Sequence, residues 1–170
     1  MHLFITGGIG AGKSTIIKSI LHRVRRPVYG FVTRKGPDSP LGSEIRMFPA
    51  GGGAGFPIAV CRSENEFVAD VAALDEFGAE LLLNIPDGAL VLMDELGFLE
   101  SKAAAFCEQV RKTLDRNVTV LGAIKPLPLP FLDAVRNHPN VRLITVTPQT
   151  RSQALSLAQE LFFGPGGRQC

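Results

Sequence analysis

The sequence predicts an α/β fold, a largely parallel sheet with helices on both faces and a small antiparallel hairpin insertion. Three observations predict it. Short apolar runs near residues 2, 28, 90, 119 and 142 read as strands, mostly separated by segments of helical apolar spacing, so parallel strands joined by right-handed crossovers are the simplest connection. Residues 89–93 are continuously apolar, as a strand covered on both faces requires. Residues 28–61 instead carry alternating runs joined by Gly- and Pro-rich turns, the pattern of antiparallel pairing.

In chain order, residues 2–6 form an apolar strand, and Ile16, Ile17, Ile20, Leu21 and Val24 then repeat at helical spacing up to a stop at Pro27. Arg23, Arg25 and Arg26 fall where cations meet the negative end of that helix dipole. Strands over 28–33, 44–48 and 56–60 alternate with turns over 35–42 and 49–55; the second, Gly-rich tip reads as an ordinary turn or as a lid over a ligand. Val71, Leu74, Phe77, Leu81 and Leu82 predict a helix over 71–83. Ser101 is placed to cap a helix with the stripe Ala103, Phe106, Cys107, Val110 and Leu114, and 118–124 is the next buried strand. A proline-broken loop over 126–130, a short helix over 131–136 and a strand over 141–147 follow. Thr147 as N-cap with Pro148 at the first helical position opens a final helix that turns Leu155, Ala158, Leu161 and Phe162 inward. Residues 1–163 thus make one domain with an insertion at about 28–61, and 164–170 form a frayed C-terminal tail.

A chain of 170 residues buries about 70% of its unfolded surface, enough for a real core. A net charge of +2 gives no reason to expect a nucleic-acid or acidic-membrane partner. Cys61, Cys107 and Cys170 are odd in number and widely spaced, which supports neither a disulfide framework nor a zinc site. Met1 runs directly into the first strand, no signal peptide is evident, and no apolar run approaches the ~20 residues of a membrane helix, so a cytoplasmic location is expected.

Gly7, Gly8, Ile9, Gly10, Ala11, Gly12, Lys13, Ser14 and Thr15 carry the chemistry. Gly, four residues, Gly, Lys, Ser is the phosphate-binding (Walker A) loop pattern, and it lies between a strand and a helix as its mechanism demands. The glycines let backbone N–H groups converge on an anion and the helix adds its positive end. Lys13 brings a point charge to the β- and γ-phosphates of a nucleotide, and Ser14 offers a hydroxyl to Mg²⁺. A mere flexible turn leaves Lys13 and Ser14 unexplained, and no dinucleotide-type glycine register can be drawn through Gly8, Gly10 and Gly12.

The apolar strand near 90 ends in Asp94 and Glu95, a Walker B segment. At a Walker B segment Asp94 would hold Mg²⁺ or its bound water and Glu95 would accept a proton from, or orient, the water that attacks the γ-phosphate; otherwise the two acids simply end the strand in solvent. Glu100 either joins that acidic cluster or supplies a charge to the N-terminus of the following helix. Lys125, just past a strand, is either a γ-phosphate cation or a solvated residue; Arg151 either stacks its guanidinium on a nucleotide base or is an exposed helix residue.

With these residues the chain resembles the THEP1-type nucleoside-triphosphatases, a family of small P-loop NTPases, over nearly its whole length. The resemblance rests on 7–15, on Gly30, Phe31, Val32 and Thr33, on 93–100 and on 147–151. It implies the P-loop NTPase fold and Mg²⁺-dependent hydrolysis of ATP, GTP and other nucleoside triphosphates. Asp94, Glu95, Leu96, Gly97 and Glu100 match the family's acidic segment, but Phe98 stands where the family usually has lysine, and its Asn-Arg-Asp appears as Thr150, Arg151 and Ser152. Loss of that lysine removes a charge that would neutralise Glu95 or Glu100 or touch phosphate, which implies altered turnover with binding retained.

The acid beside the metal ligand favours water activation, so the expected function is triphosphate hydrolysis with Glu95 and Lys13 as catalytic residues. Two alternatives stay open. A nucleotide or small-metabolite kinase would need an acceptor pocket, to which Arg34 and Arg46 of the insertion would contribute; a nucleotide-dependent switch or partner-binding module would hydrolyse slowly.

Overall fold

A computed structural model describes residues 1–63 and 66–164. Eight strands form one sheet: β1 His2–Thr6, β2 Val28–Lys35, β3 Ser43–Pro49, β4 Phe56–Ser63, β5 Glu66–Ala69, β6 Leu90–Leu96, β7 Thr119–Ile124 and β8 Val141–Thr145, in the spatial order β5-β4-β3-β2-β6-β7-β1-β8. The half from β2 to β8 is parallel, and β3, β4 and β5 continue it antiparallel beside β2. The antiparallel part therefore runs one strand past the hairpin expected to end near residue 61.

Alternation along the parallel strands builds two cores. Leu3, Ile5, Leu90, Leu92, Leu121 and Ala123 face α1 (Lys13–Leu21) and α5 (Arg151–Phe163). Phe4, Val91, Met93, Val120 and Ile124 face α3 (Ala104–Asp115) and α4 (Pro130–Arg136) on the opposite side, with Phe31 edge-on to Phe106 at 5.5 Å. Gly122 of β7 is required by this packing, because a Cβ there would come within 2.5 Å of the Phe4 ring.

Four local expectations change. The segment expected as a helix over 71–83 starts as α2 (Val71–Ala73), capped by the Asp70 carboxylate, and continues as a π-helical turn, Leu74–Gly78. Ser101 does not cap α3; its hydroxyl donates to the Gly97 carbonyl within a 3₁₀ turn, and the carboxylate of Asp75 accepts from Phe106 N–H at the N-terminus of α3. Thr147 and Thr150 cap each other reciprocally, each hydroxyl accepting the other's backbone N–H, but the helix proper starts only at Arg151. In α5 the most buried side chains are Ala154, Ala158 and Phe163, while Leu155, Leu161 and Phe162 pack at the rim of the core.

Arg23 lies over the Phe163 ring at 4.2 Å and Arg26 donates to the Gly88 carbonyl, so two of the three clustered arginines have specific partners beyond the helix end. Cys61 and Cys107 are free thiols, while Cys170 and the rest of the expected tail past Gly164 lie outside the described residues. Among the described residues no helix is long and apolar enough to cross a membrane.

Candidate nucleotide site

The carboxyl ends of β1, β6 and β7 converge on one cleft of about 880 Å³, lined by residues 7–15 together with Phe67, Glu95, Phe98, Lys125, Pro126, Leu127 and Arg151. Sheet order explains the convergence. β7 lies between β1 and β6, so the residue after β7, Lys125, sits between the loop that follows β1 and the acids of β6.

The loop over 7–12 is shaped by its glycines. Gly7 has φ +154° and a Cβ there would strike the Val146 carbonyl; Gly12 has φ +115°, and a Cβ would come within 2.5 Å of Arg151 Nε. Arg151 occupies the space that the missing side chain of Gly12 leaves. It donates from Nε to the Ala11 carbonyl (3.0 Å) and from Nη2 to the Gly10 carbonyl (2.9 Å), which ties the loop to the start of α5. Lys13 Nζ, at the start of α1, donates to the carbonyls of Gly7 (2.9 Å) and Gly8 (3.2 Å). Ser14 and Thr15 follow it, both exposed on the cleft wall.

β6 does not end at Met93 but runs on through the acids, with a bulge. Met93 pairs with Gly122 and Leu96 with Ile124, so three steps on β6 face two on β7. Such an extra residue re-aims side chains. The segment is pinned from β2: Thr33 Oγ1 donates to the Asp94 carbonyl (2.7 Å) and accepts the Glu95 N–H (3.0 Å). Glu95 enters the cleft, its buried Oε1 lying 3.2 Å from Lys13 Nζ in an ion pair without hydrogen-bond alignment. Asp94 is half-buried and is not part of the cleft lining. Burial, reinforced by Glu95, pushes its carboxyl above the usual range, and the charges of Lys18 and Lys13 oppose that shift.

Magnesium in such a site takes one or two protein oxygens together with phosphate oxygens and water. The Ser14 hydroxyl and Asp94 carboxylate are a hard-oxygen pair of that kind, and a carboxylate that burial holds back from ionising is one that a neighbouring cation would favour. The residues fit the ion. Lys125 stands in the cleft with Nζ 5.6 Å from the Phe98 ring centroid, and Phe98 meets Phe67 of β5 edge-on at 5.1 Å. Thus Lys13, Glu95, Lys125 and Arg151, all singled out from sequence, share one cleft. Phe67, Pro126 and Leu127 were not singled out; β5 is four residues long and carries too little pattern to announce itself.

Glu100 is 3% exposed, its Oε2 accepting Gly97 N–H at 2.9 Å. Burial raises its carboxyl from 4.5 to about 7, with Lys125 pulling the other way. A carboxyl raised on folding makes the native state bind the proton more tightly than the unfolded chain. Its contribution is therefore favourable below pH 4.5 and fades as pH rises towards 7, by a total of about 3 kcal/mol. Glu100→Gln should remove this dependence and be more stable than the parent at pH 8 but not at pH 4.5. Denaturant unfolding of both proteins at the two pH values checks it.

The profile of a protein family described as NTPase matches residues 2–159. The chain is 29% identical over 182 residues to the human cancer-related nucleoside-triphosphatase, covering 91% of this chain and 92% of that protein. It is 25% identical over 178 residues to the nucleoside-triphosphatase THEP1 of Thermotoga maritima, covering 99% and 100%. In fold it is similar to the crystal structure of THEP1 from Aquifex aeolicus, with a TM-score of 0.74 at 24% identity over 95% of this chain and 98% of that one.

Proposed function

The chain belongs to the NTPase family, and on that footing we propose that it hydrolyses nucleoside 5′-triphosphates, ATP and GTP among a broad set, to the diphosphate and phosphate in the presence of Mg²⁺. The observation that carries this reading is the meeting of Lys13 Nζ and Glu95 Oε1 at 3.2 Å, which joins the phosphate loop to the acid that water activation needs.

In the proposed reaction the loop amides of 7–12 and Lys13 bind the β- and γ-phosphates, and Thr15 and Arg151 border them. Ser14 and Asp94 would hold Mg²⁺, which supplies positive charge to the phosphate oxygens. A water oxygen attacks the γ-phosphorus, the bond to the β,γ-bridging oxygen breaks, and the water's proton passes to the Glu95 carboxylate. The diphosphate leaves with Lys13 against its growing charge, and Lys125 meets the charge on the γ-phosphoryl oxygens. Substrate binding takes the ammonium of Lys13 from Glu95 to phosphate, which frees the carboxylate to act as base. The cytosol is the compartment in which the thiols of Cys61 and Cys107 stay reduced.

Incubation of the protein with Mg²⁺ and each common nucleoside triphosphate should release equal amounts of diphosphate and inorganic phosphate. Addition of EDTA in excess should stop that release. Phosphate release unaffected by EDTA, or no release with any triphosphate, would overturn the proposal.

A further inference from the structure

The fold fixes Lys125 at its base and leaves its charge open at the tip. Its backbone N–H donates to the Leu96 carbonyl at 2.9 Å, and its own carbonyl accepts from Arg136 Nη1 at 3.3 Å, so the turn after β7 is tied to the end of β6 and to α4. The stem then lies along Gly97, where a Cβ would stand 3.1 Å from Lys125 Cδ and 3.5 Å from Cε. Among the described residues the ammonium makes no hydrogen bond and no ion pair.

Neither neighbouring acid takes it. Glu95 is paired with Lys13 at 3.2 Å. Glu100 turns Oε2 to Gly97 N–H, and its carboxyl, raised by burial to about 7, carries only part of a charge at neutral pH. The remaining partner is Phe98. Lys125 Nζ lies over its ring, 5.6 Å from the centroid and within the ~6 Å over which a ring quadrupole attracts a cation. Phe98 is itself seated, edge-on to Phe67 of β5 at 5.1 Å. A ring differs from a carboxylate in one respect that matters here: it attracts the ammonium without accepting its N–H groups, so all three donors stay available to phosphate oxygens. It also removes part of the rotamer freedom that a lysine head would otherwise lose on meeting its ligand.

We propose that Phe98 is a positioning residue for hydrolysis: its ring, seated against Phe67, holds the Lys125 ammonium in the cleft with its three N–H donors free for the γ-phosphoryl oxygens. The role rests on the hydrolysis reading of the cleft, in which Lys125 meets the charge on those oxygens. It gives β5, at the outer edge of the antiparallel strands, a part in the site through Phe67.

The test is single-turnover phosphate release from a radiolabelled triphosphate with Mg²⁺, which resolves slow variants, over a range of protein concentrations so that rate and affinity separate. Phe98→Leu keeps an apolar side chain against Phe67 but has no π face. It should release phosphate at least ~5-fold more slowly at saturation, with half-saturation within ~2-fold of the parent. Phe98→Tyr, which keeps the ring, should restore most of the rate. In a Lys125→Met background, itself slower than the parent, Phe98→Leu should have no further effect, because a residue that acts through the Lys125 charge is silent once that charge is gone. Circular dichroism checks folding, and Phe98→Met takes the place of Phe98→Leu if the latter does not fold. No recovery in Phe98→Tyr, a Lys125→Met rate equal to the parent's, or the same loss from Phe98→Leu in both backgrounds would overturn the role. A parent that releases no phosphate from any triphosphate overturns the hydrolysis reading and the role with it, whereas a parent that hydrolyses no faster than Phe98→Leu overturns the role alone.

Discussion

Lys13→Ala is expected to abolish measurable triphosphate binding while the protein stays folded. The ammonium of Lys13 is held by the Gly7 and Gly8 carbonyls and Glu95, so it is already fixed at the loop before a ligand arrives. At about 4 Å and an effective dielectric near 20, one unit charge pair contributes roughly 4 kcal/mol, or about a thousandfold in affinity. The loop amides remain in the variant, yet nothing in them replaces a full charge. Calorimetry with a non-hydrolysable analogue and Mg²⁺ reads the effect directly, with circular dichroism as the check on folding. Affinity within tenfold of the parent would remove Lys13 from the site.

Glu95→Gln should separate binding from chemistry. The amide keeps the size of the side chain but cannot take a proton from water, and loss of a general base slows turnover by ~10²-fold or more. Binding should survive and even tighten, because the substitution abolishes the ion pair that competes with phosphate for Lys13. Steady-state phosphate release measures the first effect and analogue titration the second. Turnover equal to that of the parent would strip Glu95 of its assigned role.

The residues on which these two experiments act were legible in the sequence because their spacing is local. Strand, glycine loop, Lys13 and helix follow one another without interruption, and Asp94 and Glu95 sit on one apolar strand. What was not legible depends on partners far along the chain. The cap of α3 comes from Asp75, thirty-one residues before the N–H it accepts, so the nearer Ser101 looked like the better candidate. Gly78 lies against the Phe106 ring, where a Cβ would approach to 3.0 Å, and the π-helical turn that ends there has no signature in helical periodicity. Arg151 reads from sequence as a cation at a helix start; only the fold brings it under Gly12, where it braces the loop through two carbonyls. The bulge that contains Asp94 and Glu95 likewise depends on the register between β6 and β7.

The placement of β1 has a consequence for how the protein is made. Its two neighbours in the sheet are β7 and β8, and its loop is braced by the first residue of α5. During synthesis β1 therefore waits for more than a hundred residues before either flanking strand exists, and closing such a span is the slow, entropically opposed kind of step. A nascent chain halted before α5 has the whole glycine loop but lacks the Arg151 brace on the Gly10 and Ala11 carbonyls, so the loop reaches its final form only once β7, β8 and the start of α5 have all been made.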